Sequence, residues 1–498
     1  MPETETSHIS LEDLSPPASE DIADSRRQSE SSRQRACVLA GSALLQLPIW
    51  GFVMCYGVFQ EYYYNPANSF PFSGNRELTG VIGTTSNGVI YLSMPFLFAL
   101  FTRNGGWAAR RRRPAALCGS VLTCASFVLS SFSTHVWHLV ATQGVLAALG
   151  CALIYSPTTL SLGEWFNRPG GSINRSVAYG VVLSCKNIVG SGCPFLIRFL
   201  LDRWGLRTTL LVWTAITAGV SVVGIMLVLT PPQLSSSSEE EETSSSDGGG
   251  SRARRHHGRH IPWQFLRHQT FYIYCVSIVC QSAGYGIPQT YLNTYAAEVT
   301  LLSQASATLM LALFNVPGIF SSSFFGYLGS GKPARSRRRW GINTSLSAAI
   351  VTAISAVSAG LSAFLLWGLT SSQQSGMALL VLFSVTFGFF AGGYSATWGG
   401  ILNELEREAA QRNEAIDTGM LYGLLNGARG IGYVSGGLAG VPLLRAGSGS
   451  ASNVAGVFGY ETTYGPLIVF TGLSSVLGGL GLLWKWERLL RGWMARIR

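Results

Sequence analysis

Long stretches without any charged residue constrain this chain more than any other feature of its sequence. Asp, Glu, Lys and Arg are absent from eight windows: 36–60, 78–102, 114–163, 208–238, 268–297, 299–331, 340–403 and 462–484. A membrane-spanning helix needs about 20 mostly apolar residues. Two of the windows are long enough for two helices each, and the segments around Lys186 and Arg429 add two more. The sequence therefore predicts an all-α, polytopic membrane protein with twelve spans.

Polar regions divide these spans into two sets of six. Residues 1–35 are rich in serine and acidic residues without an early apolar core, so we expect a disordered cytoplasmic tail and no signal peptide. Residues 231–262 contain runs of Ser, Glu and Gly before a basic stretch, which predicts a disordered cytoplasmic linker. An N-terminal six-helix bundle is predicted over 36–230 and a C-terminal bundle over 263–490, followed by a cytoplasmic tail over 491–498.

The distribution of positive charge predicts how the chain crosses the bilayer. With the N-terminus inside, most of the 35 lysines and arginines lie in inner segments, as the positive-inside rule requires. Both termini are then cytoplasmic, and we expect the plasma membrane, with the vacuolar membrane as the alternative. Arg198, Arg203 and Arg207 at the outer end of span 5 fit poorly, although Asp202 offsets part of their charge. The net charge of +10 thus reflects topology and does not predict a nucleic-acid partner.

Two cations interrupt the apolar spans at corresponding places. Lys186 follows the pair Tyr179-Gly180 in span 5, and Arg429 follows Tyr422-Gly423 in span 11. Their equivalent positions in the two sets of six spans support an internal duplication. An ionisable residue at this depth is costly and indicates a functional site.

No acidic residue in the sequence is placed to neutralise these cations. Glu61, Asp202, Glu298 and Asp417 all lie near the predicted ends of spans. An anionic substrate would supply the missing charge, because arginine binds a carboxylate through two parallel hydrogen bonds and lysine acts as a point charge. The alternative is that both cations bond helix carbonyls or reach into a wet crevice.

Uncharged side chains in spans 7 and 10 complete the predicted substrate site. Span 7 carries Gln281, Tyr285 and Gln289, and span 10 carries Tyr394 and Trp398. These groups could hydrogen-bond or enclose a substrate, or each could simply join neighbouring helices. We expect spans 1, 4, 7 and 10 to line the substrate path.

The sequence contains no pattern that predicts an enzyme. Gly392-Gly393 is not a phosphate loop, because no strand precedes it and no Lys-Ser or Lys-Thr pair follows. The nine cysteines have neither metal-site nor disulfide spacing. The acidic stretch Glu404–Asp417 is expected to be solvated. We therefore expect no catalytic residues, cofactor or metal.

Several motifs resemble a known family of carriers. They are Tyr56-Gly-Val-Phe-Gln-Glu-Tyr-Tyr63, Glu164-Trp-Phe-Asn-Arg168, Pro288-Gln-Thr-Tyr-Leu-Asn-Thr-Tyr295, Phe390-Ala-Gly-Gly-Tyr-Ser-Ala-Thr-Trp398 and Ala428-Arg-Gly-Ile-Gly432. Together with the 6+6 plan they resemble the major facilitator superfamily, and within it the fungal branch of the monocarboxylate transporter family, over about 37–490. The resemblance implies the major facilitator fold and transport of small organic anions, often with a proton. Fungal relatives also include vitamin transporters and efflux proteins for secondary metabolites.

The chain departs from this family at its charged positions. Animal members carry a lysine in span 1 and an Asp/Arg pair in span 8, whereas neither 36–60 nor Leu309–Leu328 contains such residues. The acidic residue usual between spans 2 and 3 is missing from Phe101–Trp107 and from its counterpart Gly326–Lys332. The family's proton mechanism and loop gate therefore do not transfer to this sequence.

The resulting expectation is a secondary transporter for a small or medium organic anion, monocarboxylate-like, that works by alternating access in the lipid bilayer. The sequence leaves open whether the substrate is transported together with a proton (symport) or without one. The alternatives are an efflux pump for a fungal secondary metabolite and a non-transporting nutrient sensor on the same fold.

Overall fold

A computed structural model describes residues 32–65, 76–102, 106–166, 175–228, 263–329, 346–370, 376–414, 416–448 and 458–487. The predicted linker and C-terminal tail lie outside the described residues, as does the predicted N-terminal tail up to residue 31. Ser32 already belongs to the first helix, so the last four residues assigned to that tail are helical.

Twelve helices, α1 to α12, account for nearly all of the described residues. Ten of them are α1 (Ser32–Tyr64), α2 (Gly80–Thr102), α3 (Gly106–Ser130), α4 (Val136–Phe166), α7 (Gln269–Glu298), α8 (Gln304–Gly329), α9 (Ala348–Trp367), α10 (Gly376–Gln411), α11 (Thr418–Ser448) and α12 (Gly465–Glu487). The segment Arg175–Leu227 contains α5 and α6, which meet at Gly205. Gly205 has φ +70°, a left-handed conformation that glycine adopts without steric cost.

The hydropathy of these helices suits a bilayer. Nine helical stretches within the described residues are long and apolar enough to cross a membrane, and one of them, Val177–Leu227, contains both α5 and α6. The helices α7 and α11 are equally long but more polar, since they carry Gln281, Gln289 and Arg429. The prediction of an all-α, polytopic membrane protein is confirmed.

Two helices extend past their predicted ends. The helix α3 begins at Gly106, so Arg110–Arg113, which precede the charge-free window 114–163, lie on its first turns. Arg112 is buried there and donates to both carboxylate oxygens of Glu164 in α4, at 2.6 and 2.7 Å. The helix α10 continues to Gln411 because its last turns are amphipathic and pack against the other helices.

The expectation that Glu404–Asp417 is solvated is wrong for several of its carboxylates. Glu404 binds the ammonium of Lys485 in α12 at 2.9 Å. The buried ring of His268 lies between Glu408 and Glu414, with Nε2 at 2.7 Å from the latter. These three carboxylates are therefore paired and only partly solvated, with 23% of Glu404, 23% of Glu408 and 21% of Glu414 exposed.

A network of charged and polar side chains joins the first six helices to the last six at the predicted outer end. We call Glu61, Arg198, Asn293 and Thr308 the outer cluster. Arg198 in α5 forms an ion pair with Glu61 in α1, and both side chains are less than a tenth exposed. Asn293 in α7 donates to Glu61 at 2.7 Å, and Arg198 donates to Thr308 in α8 at 3.2 Å. The positive charge that fitted poorly at the outer end of span 5 is therefore neutralised at Arg198.

Candidate substrate-binding site

Lys186 extends from α5 toward two aromatic rings near the middle of the membrane-spanning helices. Its ammonium lies 3.9 Å from the ring centroid of Trp50 in α1 and donates to the hydroxyl of Tyr91 in α2 at 3.1 Å. A cation over a tryptophan face is attracted by the negative face of the ring. Lys186 as a whole is half-buried.

Arg429 lies among four aromatic rings and is only 6% exposed. Its guanidinium carbon is 4.9 Å from the ring centroid of Tyr91. The centroids of Tyr285, Trp398 and Tyr433 are at 5.7, 5.7 and 5.6 Å. One terminal nitrogen donates to the Tyr433 hydroxyl at 3.4 Å.

Close helix packing fixes the position of Arg429. A side chain at Gly430 would collide with the backbone of α2 at Gly88 and Leu92. A side chain at Gly436 would collide with the Ala283 carbonyl of α7. Because both glycines allow backbone contact, α11 is held between α2 and α7 with Arg429 on its buried face.

Tyr91 brings the two cations together. Its hydroxyl accepts the hydrogen bond from Lys186, its ring faces Arg429, and it stacks on Tyr433 with centroids 5.8 Å apart and planes 10° apart. A cation from the first six helices and one from the last six thus contact the same ring. We call this group the central cluster: Trp50, Tyr91, Lys186, Tyr285, Trp398, Arg429 and Tyr433.

The central cluster contains no acid that neutralises its cations. Among the described residues, ion pairs with carboxylates involve Arg112, Arg198, His268, Arg445 and Lys485, but neither Lys186 nor Arg429. A cation–π contact contributes about 0.5–2 kcal/mol, so the four rings around Arg429 offset much of the cost of an arginine at mid-membrane, about 2.5–3.5 kcal/mol on insertion scales, but they carry no negative charge. The rings hold the cations in place without cancelling their charge.

Several buried donors of the cluster lack an acceptor in the part of the chain that the structure describes. They are Nε of Arg429 and the indole Nε1 atoms of Trp50 and Trp398. A buried donor without a partner is costly. Each of these three N–H groups can donate a hydrogen bond to an acceptor atom of a ligand. The site can therefore bind a ligand that is anionic and rich in acceptor oxygens.

The structure brings together four of the seven predicted site residues, namely Lys186, Arg429, Tyr285 and Trp398. Gln289 lies elsewhere: its amide donates to the Met54 sulfur of α1 at 3.1 Å.

Gln281 and Tyr394 both contact α12 at Gly478. The Tyr394 hydroxyl donates to the Gly478 carbonyl at 2.9 Å, and a Cβ atom at Gly478 would lie 2.8 Å from Cβ of Gln281. The side-chain oxygen and nitrogen of the buried Gln281 have no hydrogen-bond partner among the described residues.

Sequence reasoning missed three aromatic residues of the cluster: Trp50, Tyr91 and Tyr433. Only Tyr433 carried a local signal, since it follows Arg429 by four residues and so lies on the same helix face. The cluster also draws on α2, α5 and α11, in addition to the predicted lining helices α1, α7 and α10.

Comparison with known proteins agrees with this architecture. The family model of the Major Facilitator Superfamily matches residues 52–405. Monocarboxylate transporter 13 from Bos taurus is 26% identical over 272 residues, which cover 54% of this chain and 59% of the relative. Monocarboxylate transporter 12 from Xenopus laevis is 27% identical over 290 residues, covering 56% and 58%. The chain thus spans less than two thirds of the length of these two relatives.

A fungal relative matches over a longer region. The MFS-type transporter pynF from Aspergillus niger is 23% identical over 450 residues, covering 88% of each chain. The predicted resemblance to the superfamily and to monocarboxylate transporters is confirmed, and the family and these relatives are transporters, not enzymes. With twelve helices among the described residues, an extended family match and intramembrane cations, this chain belongs to the Major Facilitator Superfamily, a family of membrane transporters.

Proposed function

We propose that this protein carries a small or medium organic anion, above all a monocarboxylate, by alternating access. The observation that supports the proposal most is the meeting of Lys186 and Arg429 on Tyr91 without a neutralising acid among the described residues. A substrate carboxylate would accept from both cations and satisfy Nε of Arg429. The names of the monocarboxylate transporters among the relatives agree with such a substrate.

The hydrogen bonds between the two halves, α1–α6 and α7–α12, support movement around this central site. Hydrogen bonds of charged side chains join the halves at Glu61 to Asn293, Arg198 to Thr308 and Arg445 to Glu77. All three places lie at the predicted outer end.

At the predicted inner end, Arg112 pairs with Glu164 and Lys485 with Glu404, each within its own half. This asymmetry supports a state closed on the outer side, from which rocking of the halves would open the central cluster to each side in turn.

Counterflow in proteoliposomes tests the proposal. Labelled pyruvate, lactate and benzoate are offered to liposomes preloaded with the unlabelled anion, with and without a pH gradient. We expect saturable exchange of at least one anion, and stimulation by the gradient if a proton is coupled. No exchange of any carboxylate would contradict the proposal.

Two variants connect transport to the site. Lys186→Gln and Arg429→Gln should each lower exchange at least tenfold, since a hydrogen bond to a charged group contributes about 1.5–3 kcal/mol and about 1.4 kcal/mol is tenfold. Arg407→Gln is the matched control, because Arg407 is exposed on the last turns of α10. Wild-type exchange in both site variants, with normal amounts of folded protein, would overturn the site.

Efflux of a larger secondary metabolite is the second candidate. The aromatic character of the central cluster favours it. Deleting the gene in the producing cell should then raise the intracellular product and self-toxicity. Slower growth on a carboxylate, without such accumulation, would contradict efflux.

We propose the plasma membrane as the location, with the vacuolar membrane as the alternative and both termini cytoplasmic. A fluorescent fusion at either terminus tests the membrane. Protease access to that fusion in intact cells tests the orientation.

A further inference from the structure

The walls of the central cluster are a continuous run of aromatic rings that crosses from one half to the other. Tyr155 in α4 contacts Trp50 edge to face, with centroids 5.6 Å apart. Trp50 lies 5.1 Å from Tyr91, which stacks on Tyr433. Tyr285 meets Tyr433 edge to face at 6.2 Å. A ligand held by the two cations is therefore bordered by rings.

The cations occupy faces of these rings. Lys186 lies over Trp50, and Arg429 lies closest to Tyr91. When a carboxylate draws the two cations toward its oxygens, these faces lose part of their cation–π contact. A flat aromatic group can replace that contact by offset stacking, whereas a saturated ring of the same size cannot.

The indole donors suggest how such a ligand could be recognised at its edge. Among the described residues, the buried Nε1 atoms of Trp50 and Trp398 have no acceptor partner. An aromatic acid offers its carboxylate oxygens in the plane of its ring, so the indole N–H of Trp398, which takes no part in the stack, is the donor that matches them. Aliphatic groups offer neither the stacking face nor this planar arrangement.

We propose that the transported anion is a planar aromatic monocarboxylate, whose carboxylate binds Lys186 and Arg429 and whose ring stacks on Trp50 and Tyr91. This inference rests on the proposed function and names the substrate class of the same site.

The test compares benzoate with cyclohexanecarboxylate, which have equal carbon number and charge but differ in planarity and π electrons. Each acid competes for counterflow in proteoliposomes of the full chain. The wild-type protein should prefer benzoate about tenfold in half-inhibitory concentration, equivalent to about 1.4 kcal/mol. Trp50→Leu and Tyr91→Leu should reduce that preference to about twofold or less, mainly by weakening benzoate.

A second pair of variants, which conserve an aromatic ring at each position, distinguishes a loss of stacking from a loss of folding. Trp50→Phe and Tyr91→Phe retain a ring in place and should retain most of the preference for benzoate. Tyr91→Phe also loses the hydroxyl that accepts from Lys186, so it separates that hydrogen bond from stacking.

The outcomes distinguish the two levels of the proposal. Equal inhibition by both acids, or exchange of pyruvate without any inhibition by benzoate, would overturn the aromatic class and leave anion transport standing. Retained benzoate preference in both leucine variants would also overturn the stacking. Absence of exchange for every carboxylate would overturn the proposed function itself.

Discussion

The buried arginines of the outer cluster and of the central cluster have surroundings that differ in one decisive respect. In the outer cluster, Arg198 lies against the carboxylate of Glu61, with Asp202 at 3.8 Å. In the central cluster, Arg429 is surrounded by tyrosine and tryptophan rings and has no carboxylate partner among the described residues. The first arginine is neutralised by the protein, and the second keeps a charge that a ligand can neutralise.

The comparison explains how one chain can carry both stable and exchangeable charge pairs. The ion pair between Glu61 and Arg198 links α1 and α5 within the first half. The same two side chains also hydrogen-bond to Asn293 and Thr308 in the other half. A charge completed by substrate is available only when the site is accessible. Stability and transport should therefore respond differently to substitutions in the two clusters.

The largest expected effect on stability is at the outer cluster. Glu61→Gln leaves the buried charge of Arg198 without its main partner and should lower the free energy of unfolding by about 3–5 kcal/mol. The double variant Glu61→Gln/Arg198→Gln removes both charges and should recover much of that loss. Thermal melting of the purified protein in detergent measures both. The claim that Glu61 neutralises Arg198 would be contradicted if Glu61→Gln were as stable as the wild type. It would also be contradicted if the double variant were less stable than Glu61→Gln.

An intermediate effect is expected where helix packing positions Arg429. Gly436→Ala introduces a methyl group against the Ala283 carbonyl of α7, and such overpacking costs about 1–3 kcal/mol. Moving α11 should also lower transport, because Arg429 shifts relative to Tyr91. The matched control is Gly192→Ala in α5, where a Cβ atom has no neighbour within 4 Å. Equal melting temperatures and transport rates in the two variants would contradict this role of Gly436.

The sequence predicted the helices well because a bilayer imposes a simple requirement on length and hydropathy. Helix ends were harder to predict. The helix α3 begins before Arg110–Arg113 and α10 continues past Glu404, since charged residues remain helical once they find partners such as Glu164 and Lys485. Those partners lie 50 or more residues away in the sequence, so only the folded chain reveals them.

The charged residues of the site could be predicted from the sequence, but most of the aromatic residues that surround them could not. Lys186 and Arg429 were identified because a cation in an apolar span is rare and costly. Trp50 and Tyr91 resemble any other aromatic residue of a membrane helix, and nothing local shows that they contact those cations. The placement of Gln281 and Tyr394 near Gly478 depends on how α7 and α10 are rotated, which composition does not determine.

The smallest expected effect on stability, and the most direct test of the central claim, is at Arg429 itself. The measurement is the melting temperature of wild-type protein and Arg429→Gln, each with and without saturating benzoate. Because no acid among the described residues pairs with Arg429, the variant should melt within a few degrees of the wild type without ligand. It should also lose most of the upward shift that benzoate produces in the wild type. Two results would contradict the claim that Arg429 binds the charge of the substrate. One is an Arg429→Gln variant that melts far below the wild type, as Glu61→Gln is expected to do. The other is a variant that keeps the full benzoate shift in melting temperature.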